Sequence, residues 1–194
     1  MRFLALGDSY TIGEGVAEAE RWPVQLAQAL GIDAPEILAR TGWTTDELAA
    51  AMAAHAFRAP YDLVTLLIGV NNQYRGRDIA NYRDEFRALL ERAIELAGSE
   101  PQRVIVVSIP DWGVTRFGRE SGRDTTQIAR EIDLYNAANA EISHSAPVHY
   151  ADVTALSRAD PALVVDDGLH PSGAAYRRWS EAILPVARRA LSSP

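Results

Sequence analysis

Short apolar segments alternate with longer amphipathic segments along the whole chain. Several of the apolar segments contain almost no polar position, a pattern typical of strands that are covered on both faces. They predict five strands, at residues 3–6, 36–39, 63–68, 104–109 and 148–150. The segments 63–68 and 104–107 are the most uniformly apolar, so we place them at the centre of the sheet.

The amphipathic segments predict five long helices, at residues 22–30, 44–57, 78–97, 124–145 and 172–191. Their ends carry local signals. Gly31 and Gly98 follow two of them, where glycine commonly ends a helix. Thr44 and Glu47 have the spacing of a capping box at the start of another.

Strands and helices alternate from one end of the chain to the other. This order implies right-handed crossovers and therefore a parallel sheet between two layers of helices, an α/β fold. The 194 residues contain no internal repeat, low-complexity tract or linker. We therefore expect a single domain spanning residues 1–194.

Residues that could take part in catalysis or binding follow the ends of the predicted strands. In an open parallel sheet, ligands bind beyond the carboxyl ends of the strands. The residues found there, in chain order, are Ser9, Gly42, Asn71, Asp111 with Trp112, and Asp167 with His170. We expect them to meet at one edge of the sheet.

A serine, an aspartate and a histidine at one edge suggest a serine nucleophile activated by histidine. Asp167 precedes His170 by three residues, so its carboxylate can reach Nδ1 and leave Nε2 free for a nucleophile. Ser9 alone would more simply be a helix N-cap, and Asp166 is an alternative acid. The other histidines lack such a carboxylate in a loop at this edge; they are His55, His144 and His149.

Three further positions suit an oxyanion hole. The amide of Asn71, which follows a buried strand, can donate to an oxyanion, although asparagine is also common in turns. Gly42 allows its backbone N–H to approach a ligand closely, although it also suits a plain turn. The Ser9 N–H would be a third donor. We expect Asp8 to hold the loop through hydrogen bonds to the backbone rather than to transfer protons.

Composition excludes several classes of function. The chain has no cysteine, and all 19 basic residues are arginines. There is thus no thiolate nucleophile, no cysteine-ligated metal, and no lysine for a Schiff base or a P-loop. A net charge of -7 argues against a nucleic-acid surface. Nothing in the composition itself requires a metal or an organic cofactor.

No apolar run approaches the roughly 18 to 20 residues that span a bilayer. Residues 1–6 are also too short for the apolar part of a signal peptide. If this is the native start, we expect a cytoplasmic protein, although a trimmed leader would give the same pattern. The sequence leaves the oligomeric state open.

The ordered blocks resemble those of the SGNH hydrolases, also called GDSL esterases and lipases. The similar blocks are Gly7-Asp8-Ser9, Gly42, Gly69-Val70-Asn71-Asn72 and Asp167-Gly168-Leu169-His170. Each block alone is weak, but the ordered set, spread over residues 7 to 171, is specific. Two positions depart from the family pattern. Tyr10 replaces a frequent leucine, and Asn72 replaces the usual aspartate, where we expect it to brace the loop.

The resemblance implies a flavodoxin-like α/β/α sandwich with strand order 2-1-3-4-5. It also implies that Ser9 is the nucleophile, His170 the general base and Asp167 its orienting partner. The implied oxyanion hole consists of the Ser9 and Gly42 N–H groups and the Asn71 side chain. The implied activity is hydrolysis of carboxylic esters through an acyl-enzyme, without a cofactor.

Substrate choice is less constrained by the sequence. We expect Tyr10, Trp43, Tyr74 and Trp112 to surround the site, with ordinary packing as the alternative. The segment 117–123 has the composition of a polar loop that can cover the site. Its arginines, with Arg75 and Arg77, suit either an anionic substrate or a solvated surface. The candidate substrates are short-chain esters including acetylated sugars, lysophospholipids and acyl thioesters.

Two other classes of function stay open at this point. A metal-dependent phosphoesterase would use the oxygen and nitrogen ligands Asp8, Asp166, Asp167 and His170. A flavodoxin-like module would bind a ligand without turnover. The first would be sensitive to chelators, and the second would retain a flavin or nucleotide.

Overall fold

The computed structural model describes residues 1–192, and five parallel strands form its central sheet. They are β1 (Phe3–Gly7), β2 (Glu36–Ala39), β3 (Leu63–Leu67), β4 (Val104–Val107) and β5 (His149–Ala151). Their spatial order is β2-β1-β3-β4-β5. The predicted parallel sheet and its order are confirmed. The predicted single domain over residues 1–194 stays a prediction, and residues 193 and 194 lie outside the described part.

Helices pack on both faces of the sheet and give a three-layer α/β/α sandwich. Within residues 1–192 the helices are α1 (Ser9–Ile12), α2 (Trp22–Leu30), α3 (Thr45–Ala54), α4 (Val70–Tyr74), α5 (Ile79–Leu96), α6 (Arg116–Glu120), α7 (Thr125–Ser145), α8 (Thr154–Ala159) and α9 (Gly173–Ser192). Helix α2 packs against α9, whereas α5 packs against α3 and α7. Strands β1, β3 and β4 are fully buried between these layers.

The register of the sheet brings the loops after β1, β2 and β3 to one place. Gly7, the last residue of β1, pairs with Ala39 of β2 on one side and with Leu67 of β3 on the other. Because these three strands end at the same level, the residues that follow them share one edge. That edge carries Ser9, Gly42 and Asn71.

Strand β4 is shorter than predicted, ending at Val107 instead of residue 109. The backbone of Ile109 is bound by a side chain instead of a neighbouring strand. The Asn136 amide accepts from the Ile109 N–H at 2.8 Å and donates to its carbonyl at 2.9 Å. Asn136 lies on α7, so nothing local in the sequence indicates where the strand ends.

Helix α3 also ends early, at Ala54 rather than residue 57. His55 is extended, with φ −88° and ψ 137°, and its Nε2 lies 2.7 Å from a Glu36 carboxylate oxygen. The capping box at the other end is present, since the Glu47 carboxylate accepts from the Thr44 N–H at 2.9 Å. The helix thus ends where His55 contacts Glu36 at the start of β2.

The segment 117–123 is not the open polar loop that was predicted. Its first part belongs to the short helix α6, and Gly118 is buried there. A Cβ at Gly118 would lie 2.3 Å from the Trp112 carbonyl and 2.6 Å from the Gly113 carbonyl. Four helices of four to six residues, α1, α4, α6 and α8, escaped prediction because such short segments carry no readable periodicity.

In the part of the chain that the structure describes, no helix combines the length and apolarity required to cross a membrane.

Candidate active site

A pocket of about 230 Å³ lies at the carboxyl edge of the sheet. It brings together four of the predicted site residues, Ser9, Gly42, Asn71 and His170. They come from four separate segments between the start and the end of the chain. The remaining lining residues are Tyr10, Thr41, Val70, Tyr74, Trp112, Phe117 and Leu169.

Ser9 is the first residue of α1, and only Asp8 separates it from the end of β1. The turn is tight because Gly7 has no side chain. A Cβ there would lie 2.1 Å from Thr11 Oγ1 and 2.4 Å from the Leu67 carbonyl oxygen. Ser9 itself is 4% exposed and faces the pocket. The glycine therefore allows α1 to begin close to the end of β1, and this places the Ser9 side chain at the strand end.

Asp8 is fully buried and caps α1. Its Oδ1 accepts from the Tyr10 N–H at 3.0 Å, whereas Oδ2 has no protein partner among the described residues. Burial raises the pKa of Asp8 to about 7, and the hydrogen bond from Tyr10 opposes this only in part. The carboxyl group thus shapes the loop beneath Ser9 and does not line the pocket.

Asp167 and His170 form a close pair in the loop before α9. Asp167 Oδ2 lies 2.6 Å from His170 Nδ1, and its Oδ1 accepts from the backbone N–H groups of Leu169 and His170 at 2.7 and 3.0 Å. Gly168, with φ +72°, makes this turn possible. With Nδ1 held by the carboxylate, the neutral ring keeps Nε2 as its acceptor.

The charge of Asp167 is stabilised by these contacts. Burial by itself would raise the pKa of Asp167, but the hydrogen bonds from the His170 ring and from the Leu169 and His170 N–H groups outweigh burial and lower it. The carboxylate is therefore ionised when a proton arrives at the ring.

Helix α6 holds this loop in place. Arg116 donates a hydrogen bond to the carbonyl of Asp166, and its guanidinium covers Gly168. The Phe117 N–H donates to the Gly168 carbonyl at 3.0 Å. Asp166, the alternative acid, therefore contributes its backbone here, while the Asp167 side chain reaches the histidine.

Gly42 lies in a turn in which the Trp43 N–H donates to the Arg40 carbonyl at 3.2 Å. Its φ of +87° is one that glycine adopts without strain. Arg75 fixes the turn, because its Nη2 donates to the Gly42 carbonyl at 2.7 Å. Within residues 1–192, no acceptor is found for the N–H of Gly42 or of Ser9. Both donors are thus available to a ligand.

Asn71 lies in the first turn of α4 rather than in a plain turn. Its Nδ2 donates to the Trp43 carbonyl at 2.9 Å. A primary amide has two N–H groups, so one remains after this bond. The side chain therefore ties the loop after β3 to the Gly42 turn and keeps a donor beside the pocket.

Asn72 is buried and bridges to the start of α3. Its Oδ1 accepts from the Thr45 N–H at 3.1 Å, and its Nδ2 donates to Thr45 Oγ1 at 2.6 Å. Thr45 Oγ1 in turn donates to Glu85. Because the hydroxyl proton is used by Glu85, position 72 needs a donor toward Thr45. An amide supplies this donor, which accounts for Asn72 where the related pattern has aspartate.

The predicted aromatic wall is partly present. Tyr10, Tyr74 and Trp112 line the pocket, and the rings of Tyr74 and Trp112 meet edge to face at 5.3 Å. Trp43 is not among the lining residues; it packs against the core and contributes its carbonyl to Asn71. Phe117 escaped prediction because it lies in a segment interpreted as a polar loop.

The nearby arginines are engaged with the protein. Arg75 also pairs with Glu47 at 3.3 Å, and Arg77 pairs with Asp46 at 2.5 Å. Arg123 lies over the rings of Tyr74 and Trp112, at 5.5 and 5.2 Å from their centroids. These contacts favour a structural role over the recruitment of an anionic substrate.

The four residues considered as metal ligands do not form a metal-binding group. Across residues 1–192, three or more His, Asp or Glu side chains nowhere come close enough together to hold a metal ion. Asp8 is buried as a helix cap, and Asp167 is bound to His170.

The chain was compared with family models, with curated protein sequences and with solved structures. Residues 5–178 match the model of the GDSL-like lipase/acylhydrolase family. No match is found among curated protein sequences. Solved structures, in contrast, match over nearly the whole chain.

Three of these structures illustrate the similarity, and at such low identity they support the fold alone. TesA is 19% identical with a TM-score of 0.76, and the match covers 98% of this chain and 100% of TesA. The psychrotrophic esterase EstA from Pseudoalteromonas sp. is 17% identical with a TM-score of 0.73, covering 99% of both chains. Phospholipase A1 from Streptomyces albidoflavus NA297 is 19% identical with a TM-score of 0.71, covering 96% and 97%.

The family match covers most of the chain and agrees with the sheet order and with the resemblance of the sequence blocks. A non-catalytic binding module is therefore set aside. The chain belongs to the GDSL-like lipase/acylhydrolase family and is an SGNH-type serine esterase.

Proposed function

We propose that this enzyme hydrolyses short-chain carboxylic esters, with Ser9 as nucleophile, His170 as general base and Asp167 as its partner. The observation that carries the proposal is the Asp167–His170 pair. Asp167 lies 2.6 Å from His170, and His170 lines the same small pocket as Ser9. The ordered sequence blocks select the same residues independently.

In the first half of the reaction, Ser9 Oγ attacks the ester carbonyl while His170 Nε2 accepts the hydroxyl proton. The imidazolium that forms is stabilised by the Asp167 carboxylate. His170 then gives the proton to the leaving alcohol, and the acyl group stays on Ser9. In the second half, water loses a proton to His170 and attacks the acyl-enzyme, which releases the acid and restores Ser9.

The negative charge that develops on the carbonyl oxygen needs preorganised donors. We assign this role to the N–H groups of Ser9 and Gly42 and to the Nδ2 of Asn71. The two backbone donors have no protein acceptor within the described residues, and Asn71 retains one N–H. Donors already fixed in place cost no reorganisation at the moment of reaction.

The size of the pocket supports short acyl groups. Sites for drug-sized ligands usually measure about 300–1,000 Å³, and this one measures about 230 Å³. Its walls are largely apolar, with Tyr10, Val70 and Leu169 among them. Longer acyl chains, as in lysophospholipids or acyl thioesters, are the alternative substrates, and a neighbour of similar fold is named as a phospholipase A1.

The test is hydrolysis of p-nitrophenyl acetate, butyrate and octanoate by wild type, Ser9→Ala and the control Ser145→Ala. We expect acetate or butyrate to be preferred. Ser9→Ala should lose at least about 10⁴-fold in kcat, as removal of a serine nucleophile does elsewhere, while Ser145→Ala should not. An active Ser9→Ala enzyme would refute the nucleophile. The metal-dependent phosphoesterase would instead cleave p-nitrophenyl phosphate, and a chelator would abolish that activity. A cytoplasmic location stays a prediction.

A further inference from the structure

A second, narrower cavity lies behind the catalytic pocket. It has about 30 Å³ of free space and is enclosed by the 3₁₀ turn after β4, helix α8, the loop before α9 and the first turns of α9. Three residues line both spaces: Tyr10, Trp112 and Leu169. These three side chains, which we call the dividing wall, are thus all that the two spaces have in common.

The second cavity suits hydrocarbon rather than a polar group. Five of its polar side chains are bound to other protein groups, and among them Asp160 and Arg178 pair with each other. Asp111 binds the Gly113 N–H and Arg158, each at 2.9 Å. Ser157 Oγ donates to the Thr154 carbonyl at 2.7 Å, and Thr115 Oγ1 donates to the Trp112 carbonyl at 2.7 Å. What remains for a ligand is apolar surface from leucine, valine and proline side chains.

The members of the dividing wall are held to different degrees. Tyr10 is 3% exposed, with its ring 5.6 Å from that of His170 and 6.1 Å from that of Trp179. Trp112 is 2% exposed, and its Nε1 donates to Gln73 Oε1 at 2.8 Å. Leu169 is only half-buried, and its side chain makes no hydrogen bond. Leu169 is therefore the least buried member of the wall, and its replacement breaks no side-chain hydrogen bond.

We propose that the second cavity is a latent subsite for the far end of an acyl chain, closed off by Leu169, which thereby sets the upper limit of chain length. This inference rests on the proposed esterase function. The adjacency of the two spaces points to the occupant, because an acyl chain that outgrows the catalytic pocket reaches the dividing wall, of which Leu169 is the half-buried aliphatic member. Removing three carbon atoms of leucine joins the spaces.

The experiment measures kcat/KM on p-nitrophenyl acetate, butyrate, hexanoate and octanoate for wild type and Leu169→Ala. We expect the octanoate-to-acetate ratio to rise about tenfold or more. Each newly buried methylene contributes about fourfold, and the opened space holds at least two. Leu169→Met is the matched control, since it keeps the volume of the wall and should keep the wild-type ratio.

A second substitution tests whether the longer acyl chain binds in the second cavity. Ala175 lines the second cavity but not the catalytic pocket. In the Leu169→Ala/Ala175→Leu double variant, the added side chain fills the subsite, so the octanoate-to-acetate ratio should return toward the wild-type value. A gain that persists in the double variant would place the long chain elsewhere and overturn the proposal.

The same measurements separate an error in the subsite from an error in the proposed esterase function. If wild type cleaves acetate and Leu169→Ala keeps the wild-type ratio, the subsite is wrong and the esterase function stands. If wild type cleaves none of the esters, the proposed function is wrong. Leu169→Val, which removes one carbon atom, replaces Leu169→Ala if the latter fails to fold. It should raise the ratio about fourfold, and an unchanged ratio would overturn the subsite equally.

Discussion

The Asn71 side chain donates a 2.9 Å hydrogen bond to the Trp43 carbonyl and so joins the loop after β3 to the turn that contains Gly42. Two of the three proposed oxyanion donors are thus fixed relative to each other by one contact. The third, the Ser9 N–H, is fixed by the start of α1. The proposed oxyanion hole therefore draws its donors from three strand ends that the sheet register aligns.

Replacing Asn71 with alanine should lower kcat about 100- to 1000-fold, the usual cost of losing one oxyanion donor. KM should change much less, because the donor acts mainly on the charge that develops in the transition state. Steady-state kinetics on p-nitrophenyl acetate, together with a melting curve to verify folding, provide the measurement. A variant that loses affinity but keeps kcat would remove Asn71 from the hole.

Arg75 is expected to position the Gly42 turn, since its guanidinium binds the Gly42 carbonyl at 2.7 Å. Arg75→Ala should lower kcat by about three- to tenfold with little change in KM, because a loosened turn presents its N–H less well. Arg77→Ala is the matched control. Arg77 pairs with Asp46 in the same region and does not contact Gly42. Equal effects of the two substitutions on kcat would argue against positioning by Arg75.

Asn72 should not tolerate the aspartate that the related pattern carries. Asn72→Asp places a carboxylate oxygen against Thr45 Oγ1, whose proton is donated to Glu85. Losing this donor in a buried position should cost about 1–3 kcal/mol of unfolding free energy, or roughly 2–12 °C in Tm.

Asn81→Asp is the control for this change, since Asn81 also donates to Glu85, at 2.7 Å, but is exposed. Thermal melts of both variants compare the two positions. Equal Tm values for Asn72→Asp and wild type would show that the Thr45–Glu85 contact does not require the amide.

The sequence predicted the sheet, its long helices and the pairing of Asp167 with His170, because each has a local or periodic signal. It did not predict four residues that line the catalytic pocket: Thr41, Val70, Phe117 and Leu169. Leu169 is hidden inside the Asp167–His170 block, and Phe117 lies in a segment of polar composition. Trp43 was placed in the pocket on its position alone, although its ring packs against the core.

Contacts between distant segments were also beyond reach of the sequence. Asn136 on α7 ends β4 by binding the backbone of Ile109. Arg75 binds the Gly42 carbonyl rather than a substrate. In both cases a polar side chain has many possible partners, and only tertiary packing selects one. Strand ends and the roles of surface arginines therefore depend on the fold.

Asp8 should make stability depend on pH. Its pKa is about 7 in the folded protein, raised by burial from an ordinary value of 3.8. Between about pH 4 and pH 7 the folded protein keeps a proton that the unfolded chain has lost, so stability falls as the pH rises. Well above pH 7, Asp8 is ionised in both the folded and the unfolded chain, so it no longer changes stability with pH.

Asp8→Asn cannot titrate and should lack this slope. The Tm of the variant minus that of wild type should therefore become more positive from pH 4.5 to pH 7.5, by about 4 °C or more. Melting curves at three pH values measure it, and the comparison cancels the titration of all other groups. A constant Tm difference would show that Asp8 is ionised throughout this range.

Labelling with a fluorophosphonate, followed by mapping of the modified residue by mass spectrometry, tests the triad in wild type, His170→Ala and His55→Ala. We expect modification at Ser9 in wild type and in His55→Ala, because only an activated serine reacts. In folded His170→Ala, labelling should be lost. Absence of label on folded wild type, or labelling of Ser9 that is unchanged in His170→Ala, would contradict the proposed Ser9–His170–Asp167 triad.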